Sequence, residues 1–201
     1  DWGLDQFQAE YGDAITKEDI FNYVYGVIHD PIYREIYAIN LKREFPRIPF
    51  YPNFQQWVDW GAALMDLHIN YETVNEAKLK VTTVKDEKAR AAGQDPTPKL
   101  KADKVAGIIT LDSETQISGI PAAAWDYRLG NRSGLEWILD QYKEKKPKDP
   151  TIREKFNTYR FVDYKKQVID LIKRVTTVSV KSMEITEAMK AATRVTPKGK
   201  K

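Results

Sequence analysis

Cysteine is absent from the 201 residues of the chain, and histidine occurs only twice. The lack of cysteine excludes a disulfide framework, a thiolate metal site and a cysteine nucleophile, and it is compatible with a reducing cytoplasm. No apolar run approaches the roughly 20 residues of a membrane helix. No basic stretch followed by an apolar block stands at the start of the chain. We therefore expect no signal peptide, no membrane partner and a cytoplasmic location.

A large excess of one charge sign is also missing, because 32 basic residues face 29 acidic ones and leave a net charge of +3. Such a total does not by itself indicate nucleic-acid binding, for which the distribution of charge matters more than the sum. With 42% apolar and 30% charged residues, the composition is typical of a soluble globular protein. The first residue is Asp1 rather than methionine, so we expect a piece of a longer protein.

Residues 1–74 are rich in aromatic side chains and predict a helical lobe. Thr16 has the position of a helix cap, and apolar residues follow it at the helical period. Pro31 opens a second helix, which we expect to run to about Phe45. The "PRIPF" segment that follows is held extended by its prolines, and a third helix opens at Asn53.

Residues 75–201 predict an α+β lobe. The segment "AKLKVTTV" alternates as a strand does, and "VAGIITL" and "TQISGI" predict a β-hairpin. Residues 85–104 are polar and charged and contain glycine and proline, so we expect a loop or a protruding excursion there. A short helix or turn is expected between Pro121 and Tyr127.

The C-terminal part of this lobe is predicted to be helical. Ser133 and Glu136 have the spacing of a capping box at the start of an amphipathic helix. A long last helix should span roughly 164–189, although the strand propensity of "VTTVSV" allows a break in it, and a frayed basic tail should follow from Thr193. The predicted fold is therefore mixed α+β: a helical N-terminal lobe, a small and mainly antiparallel sheet, and packed C-terminal helices.

Four basic residues surround the end of the second predicted helix: Arg34, Lys42, Arg43 and Arg47. The helix dipole also favours cations at a helix C-terminus, by roughly 0.3–1 kcal/mol each, so a solvated basic helix end is the alternative interpretation. Arg47 is the strongest candidate for reading a base. It lies in a proline-restricted segment, and a rigid position suits a bidentate contact to the two acceptors of guanine.

The stretch "LGNRSGLEWILDQYK" joins a turn to the helix that Ser133 caps. Free amides of the first helical turn, together with Arg132 and the amide of Asn131, could bind a DNA phosphate. The alternative is that Gly130 and Asn131 only form a turn, while Arg132 pairs with a carboxylate such as Asp126. Arg128 can join either arrangement.

Two further basic groups are weaker candidates. The lysines of "KEKKPKDP" lie in a loop with acidic neighbours and suit solubility or diffuse attraction to a phosphate backbone: Lys143, Lys145, Lys146 and Lys148. Lys173 and Arg174 lie in the last predicted helix, where a DNA contact and a charged surface face are equally good interpretations. Neither group can be assigned to base reading.

Signals of catalysis or metal binding are weak. Asp66, Glu76 and Lys78 fit a loose nuclease pattern of the D…ExK kind, but Asp66 lacks the strand context and chance matches are common. His68 falls on an apolar helix face, where a hydrogen-bonded core histidine is the usual reason, and His29 ends a helix. No GxxxxGK[ST], GxSxG or methyltransferase signature occurs. We expect no catalysis, no metal and no cofactor in this chain.

Three blocks of the chain resemble the C-terminal target-recognition (specificity) domain of type ISP restriction–modification enzymes. They are "ITKEDIFNYVYGVIHDPIYREIYAINLKREFPRIPF", "GIPAAAWDYRLGNRSGLEWILDQY" and "VIDLIKRVTTVSV", in the order and approximate spacing of that family. The chain differs most from the family in the charged region 75–104. The enzymes of this family carry nuclease, helicase-like, adenine-N6 methyltransferase and specificity parts in one chain.

The resemblance implies that residues 1–201 form one target-recognition domain that reads a short asymmetric sequence in double-stranded DNA. It would position a target adenine for the upstream methyltransferase domain, and S-adenosylmethionine, ATP and magnesium would serve the upstream domains. The resemblance lends weight to DNA contacts by the basic residues named above. The alternative is a non-catalytic scaffold that contacts the methyltransferase and helicase parts without reading DNA itself.

Overall fold

The computed structural model describes residues 2–145, 147–155 and 159–194. These residues cluster into two compact units. Unit 1 contains the described residues up to Tyr71 and those from Lys181 onward, and unit 2 contains Glu72–Val180. No helix in these ranges is long and apolar enough to span a membrane.

Unit 1 is helical. Its elements are α1 (Trp2–Tyr11), α2 (Lys17–His29), α3 (Pro31–Ile36), a 3-10 turn (Asn40–Lys42), α4 (Phe54–Ile69) and the end of the long helix α9 (Phe161–Lys190). Thr16 caps α2 in a complete capping box, because its hydroxyl accepts from the backbone of Asp19 and the Asp19 carboxylate accepts from the backbone of Thr16. The predicted start of this helix is confirmed. Helix α1 was not predicted, and it buries only Phe7, so its apolar stripe is narrow.

Aromatic rings fill the core of unit 1, and their polar atoms reach the backbone. The Tyr23 hydroxyl donates to the Pro49 carbonyl at 2.7 Å and accepts from the Tyr51 amide at 2.7 Å. The Tyr11 hydroxyl donates to the Tyr51 carbonyl at 2.7 Å. These bonds fix the proline-rich segment that leads into α4.

Helices α2 and α4 meet at two glycines, Gly26 and Gly61. A Cβ added to Gly61 would lie 1.7 Å from the Asn22 carbonyl oxygen, and one added to Gly26 would lie 2.6 Å from the Trp57 carbonyl oxygen. Both obstacles are backbone atoms, which cannot rotate away. The close approach of the two helices therefore requires glycine at both positions.

The second predicted helix is shorter than expected. Pro31 is its first residue and Asp30 caps it, as the sequence suggests, but α3 ends at Ile36 rather than at about Phe45. The chain then makes a 3-10 turn, and Tyr37 and Leu41 pack against the core of unit 1. Tertiary packing thus overrides the helical periodicity of this segment.

A buried ion pair joins the two sequence segments of unit 1. Asp30, with no exposed surface, accepts two hydrogen bonds from the Arg194 guanidinium, at 2.7 and 2.9 Å. Arg194 also donates to the carbonyls of Met189 and Ala192, and its guanidinium lies over the Trp57 ring at 5.4 Å from the centroid. Of the predicted frayed basic tail, residues 195–201 lie outside the described residues, while Arg194 is well anchored.

Unit 2 holds an antiparallel sheet and several short helices. Its strands are β1 (Lys80–Thr83), β2 (Pro98–Asp103), β3 (Ile108–Asp112) and β4 (Thr115–Ser118) in the order β1-β4-β3-β2, with β5 (Arg128–Leu129) and β6 (Arg132–Ser133) as a separate pair. Its helices are α5 (Glu87–Ala91), α6 (Ala123–Asp126), α7 (Gly134–Gln141), α8 (Pro150–Lys155) and α9 up to Val180. All strand pairs are antiparallel, which confirms the predicted α+β class.

The predicted hairpin is confirmed as β3 and β4. Asp112 Oδ1 accepts from the backbone amides of Glu114 and Thr115 at 2.9 and 2.8 Å and so closes the turn. Ile109 lies opposite Ile117 across the two strands, and both are fully buried. Aliphatic side chains of the sheet, α7 and α9 form the core of unit 2.

The prediction of a loop or excursion over residues 85–104 is wrong, because this region contains α5 and the edge strand β2. Arg90 of α5 donates to both carboxylate oxygens of Glu114, at 2.8 and 2.9 Å, and holds the helix on the sheet. Strand β2 is polar since it lies at the edge of the sheet, where charged side chains are common. The charged residues of this segment are therefore the reason that the sequence did not predict a strand here.

Helix α9 is continuous through "VTTVSV", so no break occurs there. The hydroxyl of buried Thr176 donates to the Ile172 carbonyl at 2.7 Å, which satisfies it within the helix. The two-lobe division that we expected falls at residue 74. In the described structure, the chain passes from unit 1 to unit 2 after Tyr71 and returns to unit 1 at Lys181. The long helix α9 therefore contributes residues to both units.

Candidate nucleic-acid interface

The start of α7 carries the capping box that the sequence predicts. The Ser133 hydroxyl accepts from the Glu136 amide at 3.3 Å, and Glu136 Oε2 accepts from the Ser133 amide at 2.8 Å. The Gly134 amide donates to the Tyr127 carbonyl at 3.4 Å. Hydrogen bonds from Lys104 and from the Ser133 backbone lower the pKa of Glu136 to about 2, so its carboxylate stays charged.

These contacts occupy the amides that were expected to receive a phosphate, and Ser133 itself is fully buried. The amides of Ser133, Gly134 and Glu136 thus already have acceptors within the protein, and phosphate binding at this helix start stays a prediction. The structure shows Ser133 as the cap of α7. A DNA contact by Ser133 stays a prediction.

Arg132 is fixed on two sides. Its guanidinium pairs with Asp140 at 2.8 Å, rather than with Asp126, and lies over the Trp137 ring at 5.1 Å from the centroid. The Trp137 indole nitrogen donates to the Leu129 carbonyl at 2.9 Å, which holds the ring in place. The hydrogen bond from Arg132 lowers the pKa of the Asp140 carboxyl.

Strands β5 and β6 form the small hairpin that carries the remaining residues of this stretch. Gly130 has a φ of 72°, which glycine accepts without strain, and the turn is made by Gly130 and Asn131. Arg128 donates to the Asn131 carbonyl across the turn. The side chains of Arg128 and Asn131 are exposed, so this hairpin presents both of them to solvent.

A groove of about 380 Å³ lies between the edge strand β2 and helix α7, and we name it the β2–α7 groove. Its charged lining residues are Lys101, Lys104, Arg132, Glu136, Asp140 and Lys143. Lys104 pairs with Glu136 at 2.7 Å, as Arg132 pairs with Asp140. Sequence reasoning missed Lys101 and Lys104, since both lie in the region expected to be an excursion; the signal that could have found them is the alternation of charged residues around buried Leu100.

The four basic residues around α3 are all exposed: Arg34, Lys42, Arg43 and Arg47. The Arg47 side chain is 89% exposed and pairs with Glu44 at 3.2 Å. Its backbone is held, because the Tyr33 hydroxyl donates to the Arg47 carbonyl at 3.0 Å. Phe45, beside them, is 95% exposed. The segment thus presents exposed cations, and the backbone at Arg47 is held in place.

Lys173 and Arg174 have structural partners. Each pairs with a different carboxylate oxygen of Glu76, at 3.2 Å, and Arg174 also donates to the Val74 carbonyl at 2.6 Å. Both side chains are more than two-thirds buried. These contacts fasten residues 74–76 to α9, and a DNA contact by either residue stays a prediction.

The weaker sequence signals are placed as follows. His68 is hydrogen-bonded in unit 1, to the Tyr25 hydroxyl at 2.7 Å and the Ser182 hydroxyl at 3.1 Å, and burial lowers its pKa to about 4. The expected core histidine is confirmed. Asp66 lies in α4 rather than in a strand, and Glu76 is bound to α9. Within the described ranges, no group of three or more His, Asp or Glu side chains could hold a metal ion.

Of the loop lysines, Lys143 lines the β2–α7 groove and Lys148 is exposed, while Lys146 lies outside the described residues.

The sequence matches the family described as the type ISP C-terminal specificity domain over residues 1–171. The chain belongs to this family. The predicted resemblance is confirmed, and the family is described as a specificity domain. A comparison with curated protein sequences finds none that matches.

Solved structures include close likenesses of this type ISP specificity domain. It is 52% identical to the chain in the cryo-EM structure of the DrdV–DNA complex, with a TM-score of 0.88 over 96% of this chain and 20% of that one. It is 30% identical to a nuclease-deletion mutant of the type ISP restriction–modification enzyme LlaGI in complex with a DNA substrate mimic, with a TM-score of 0.69 over 92% of this chain and 17% of that one.

The ATP-dependent type ISP enzyme LlaBIII bound to DNA shares the fold, at 24% identity and a TM-score of 0.70, over 95% of this chain and 12% of that one. The specificity domain therefore spans a fifth or less of each of these three chains.

Proposed function

We propose that this specificity domain recognises a sequence in double-stranded DNA as the specificity module of a larger restriction–modification enzyme. The observation that carries the proposal is the 52% identity over 96% of the chain to part of a protein solved as a complex with DNA. The likeness to LlaGI, solved with a DNA substrate mimic, supports it further. Both solved chains are several times longer than this one, so the other activities would reside in other domains.

In such an enzyme, the domain would position a target adenine for an upstream N6-adenine methyltransferase domain. That domain must take the base out of the duplex to reach it, which requires a fixed register on the DNA. S-adenosylmethionine, ATP and magnesium would serve the upstream methyltransferase and helicase domains. The partners of this domain are then duplex DNA and those two domains, in the cytoplasm.

The proposed division of roles follows from exposure and rigidity. Arg47, with a held backbone and an 89% exposed side chain, suits a base contact in the major groove. Arg34, Lys42 and Arg43 are exposed nearby in sequence and suit phosphate contacts. Arg128 and Asn131, exposed on the β5–β6 hairpin, are the candidates in unit 2.

The test is a selection experiment with the 201-residue chain and a pool of random duplexes, followed by salt titration of the enriched sequence. We expect one short asymmetric motif to be enriched. The logarithm of the affinity should fall with the logarithm of the salt concentration, at roughly 0.9 per phosphate contacted. An unenriched pool together with a flat salt response would contradict the proposal.

A second candidate function is a scaffold that couples the methyltransferase and helicase parts without reading DNA. One observation favours it: three large apolar side chains in and after α3 are exposed, namely Ile36 at 64%, Ile39 at 69% and Phe45 at 95%. Exposed apolar residues of this kind are common in surfaces that bind another protein. Substitution of all three by serine separates the two functions, because it should leave salt-dependent DNA binding intact and disrupt only a scaffold.

A further inference from the structure

We infer that the β2–α7 groove holds the phosphate backbone of the bound duplex, and that Asp140 and Glu136 occupy the places of phosphates while DNA is absent. This inference rests on the proposed function, because it assigns part of the DNA contact to a defined surface. It adds a site with two lysines that the sequence did not single out, and a role for two carboxylates.

The groove concentrates positive charge. Lys101 and Lys104 line it from β2, and Arg132 and Lys143 line it from the two ends of α7. Two carboxylates oppose these four cations and leave an excess of two positive charges, whereas the whole chain carries only +3. A local excess of this kind attracts a polyanion, whose affinity depends on where the charge lies rather than on the total.

A β-bulge precedes Lys101 in the strand that lines this surface. Pro98 lies opposite Asp112 but Lys101 lies opposite Thr110, so two residues of β2 face one residue of β3. The bulged Leu100 has a φ of 44° and is buried. The extra residue shifts the register by one, so Lys101 lies opposite Thr110 and Ala102 opposite Ile109. Both Lys101 and Ala102 are exposed and line the groove.

The two carboxylates hold the cations weakly enough to release them. The Lys104–Glu136 and Arg132–Asp140 pairs have distances of 2.7 and 2.8 Å, and the four side chains are 27–47% exposed. Ion pairs this accessible to solvent contribute little to stability. A phosphate oxygen makes charge-assisted hydrogen bonds of the same kind, so exchanging a carboxylate for it costs little.

Trp137 keeps Arg132 ready for this exchange. The Arg132 guanidinium lies over the Trp137 ring, at 5.1 Å from the centroid. This contact is kept whether a carboxylate or a phosphate accepts hydrogen bonds from the guanidinium N–H groups. In the DNA-free protein, Asp140 pairs with the guanidinium and weakens attraction to any duplex. A groove built in this way sets the register on the backbone and carries no sequence information.

The experiment uses matched pairs of variants of the 201-residue chain with a fluorescently labelled duplex, measured by anisotropy across a range of salt concentrations. Lys101→Ala is compared with Lys99→Ala, which removes the same charge from the same strand outside the groove lining. Asp140→Asn is compared with Asp126→Asn. Asp126 is exposed and forms no ion pair with any residue that the structure describes.

We expect Lys101→Ala to weaken binding roughly 3- to 10-fold and to reduce the salt slope by about 0.9, with a clearly smaller effect of Lys99→Ala. Asp140→Asn should strengthen binding by a similar factor and raise the slope, for the selected duplex and an unrelated one alike. Asp126→Asn should change neither clearly. Inorganic phosphate at matched ionic strength should not compete, since the groove binds a continuous backbone; competition would mean a small-anion site and overturn the inference.

Other outcomes separate the two proposals. If the wild-type chain binds DNA with a steep salt slope but both matched pairs behave alike, the groove assignment is overturned and the proposed function stands. If Asp140→Asn weakens binding, Asp140 orients Arg132 rather than replacing a phosphate, which overturns its assigned role. If the wild-type chain binds no duplex in a salt-dependent manner, both proposals fail.

Discussion

The two units of the molecule bury charge in the same way but fill their cores differently. Unit 1 buries Asp30 against Arg194, and unit 2 buries Asp112 against Lys165 at 2.7 Å. Around these pairs, unit 1 packs aromatic rings whose hydroxyls bind backbone groups, whereas unit 2 packs aliphatic side chains on a sheet. Aromatic cores depend on a few specific contacts, while aliphatic cores tolerate exchange of similar volumes.

The basic surfaces of the two units also differ, in the way their cations are exposed or paired. The cations around α3 in unit 1 are exposed, and the Arg47 side chain pairs with the neighbouring Glu44. Three of the cations of the β2–α7 groove in unit 2, namely Lys104, Arg132 and Lys143, are already paired with carboxylates, and Arg132 is stacked on a ring. The first surface can adapt to a base edge, and the second is preorganised for a regular backbone.

The largest expected effect is the loss of the buried ion pair in unit 1. Asp30→Asn would leave the Arg194 guanidinium largely buried without its counter-charge, which costs about 3–5 kcal/mol. The lower end is expected here, because two backbone carbonyls and the Trp57 ring still contact Arg194. Urea unfolding measures the loss, and hydrogen exchange should locate it in residues 17–69. An equal loss of hydrogen-exchange protection in both units would contradict the assignment of this ion pair to the stability of unit 1.

Next in size is Gly61→Ala, which tests the close contact of α2 and α4. The new Cβ would lie 1.7 Å from the Asn22 carbonyl oxygen, so the helices must move apart at a cost of about 1–3 kcal/mol. Gly3→Ala in α1 is the control, since nothing lies within 4 Å of its added Cβ. The control should be neutral or slightly stabilising in thermal unfolding, and equal losses in both variants would contradict the close-contact argument.

The third prediction compares the two basic surfaces. Arg47→Ala should cost about 1–3 kcal/mol of binding to the selected duplex and relax discrimination at one base pair. Arg132→Ala should weaken binding to all duplexes by a similar factor and lower the salt slope by about 1. Binding to a panel of single-base-pair variants of the selected duplex measures both. If both substitutions acted uniformly, the distinction between an adaptable and a preorganised surface would be lost.

The smallest effect is a difference in acid sensitivity between the units. His68 in unit 1 has a pKa lowered from 6.5 to about 4 by burial, so the unfolded chain binds the extra proton first. Unit 1 therefore loses stability as the pH falls from 6.5 towards 4. Glu114 in unit 2 has a pKa lowered from 4.5 to about 2, mainly by its hydrogen bond from Arg90, so its contribution is complete above 4.5 and is lost as the pH falls towards 2.

A shift of a few degrees in melting temperature is expected across each window, given about 2–4 °C per kcal/mol for a chain of this size. Hydrogen exchange at pH 7, 5 and 3 assigns each shift to a unit. His68→Gln should flatten the upper window and leave the lower one unchanged. Loss of unit 2 before unit 1 on acidification would reverse the comparison.

Local signals made much of this fold predictable from sequence. The capping boxes at Thr16 and Ser133 and the hairpin turn at Asp112 depend on residues a few positions apart, and all three are present. The end of α3 and the strand β2 were not predicted, because packing of Leu41 and pairing with β3 decide them from a distance. Periodicity alone does not contain that information.

The candidate site was predictable to a lesser degree. The sequence singled out Arg132 and the capping box of Ser133 and Glu136, but not that Asp140 pairs with the arginine or that Lys104 pairs with Glu136. Both depend on which of several nearby acids comes within reach in three dimensions. Lys101 follows a β-bulge on an edge strand, and a one-residue register shift leaves no pattern in the sequence.

The split composition of unit 1 has a consequence for the order of events on the ribosome. Asp30 waits for Arg194, which is 164 positions later, while Glu72–Val180 forms one uninterrupted stretch. Translation proceeds at about 5–20 residues per second, and chain segments fold as units as they emerge. All residues of unit 2 have therefore been made before Arg194 emerges, and α1 to α4 complete the interior of unit 1 only after the residues from Lys181 onward have been made.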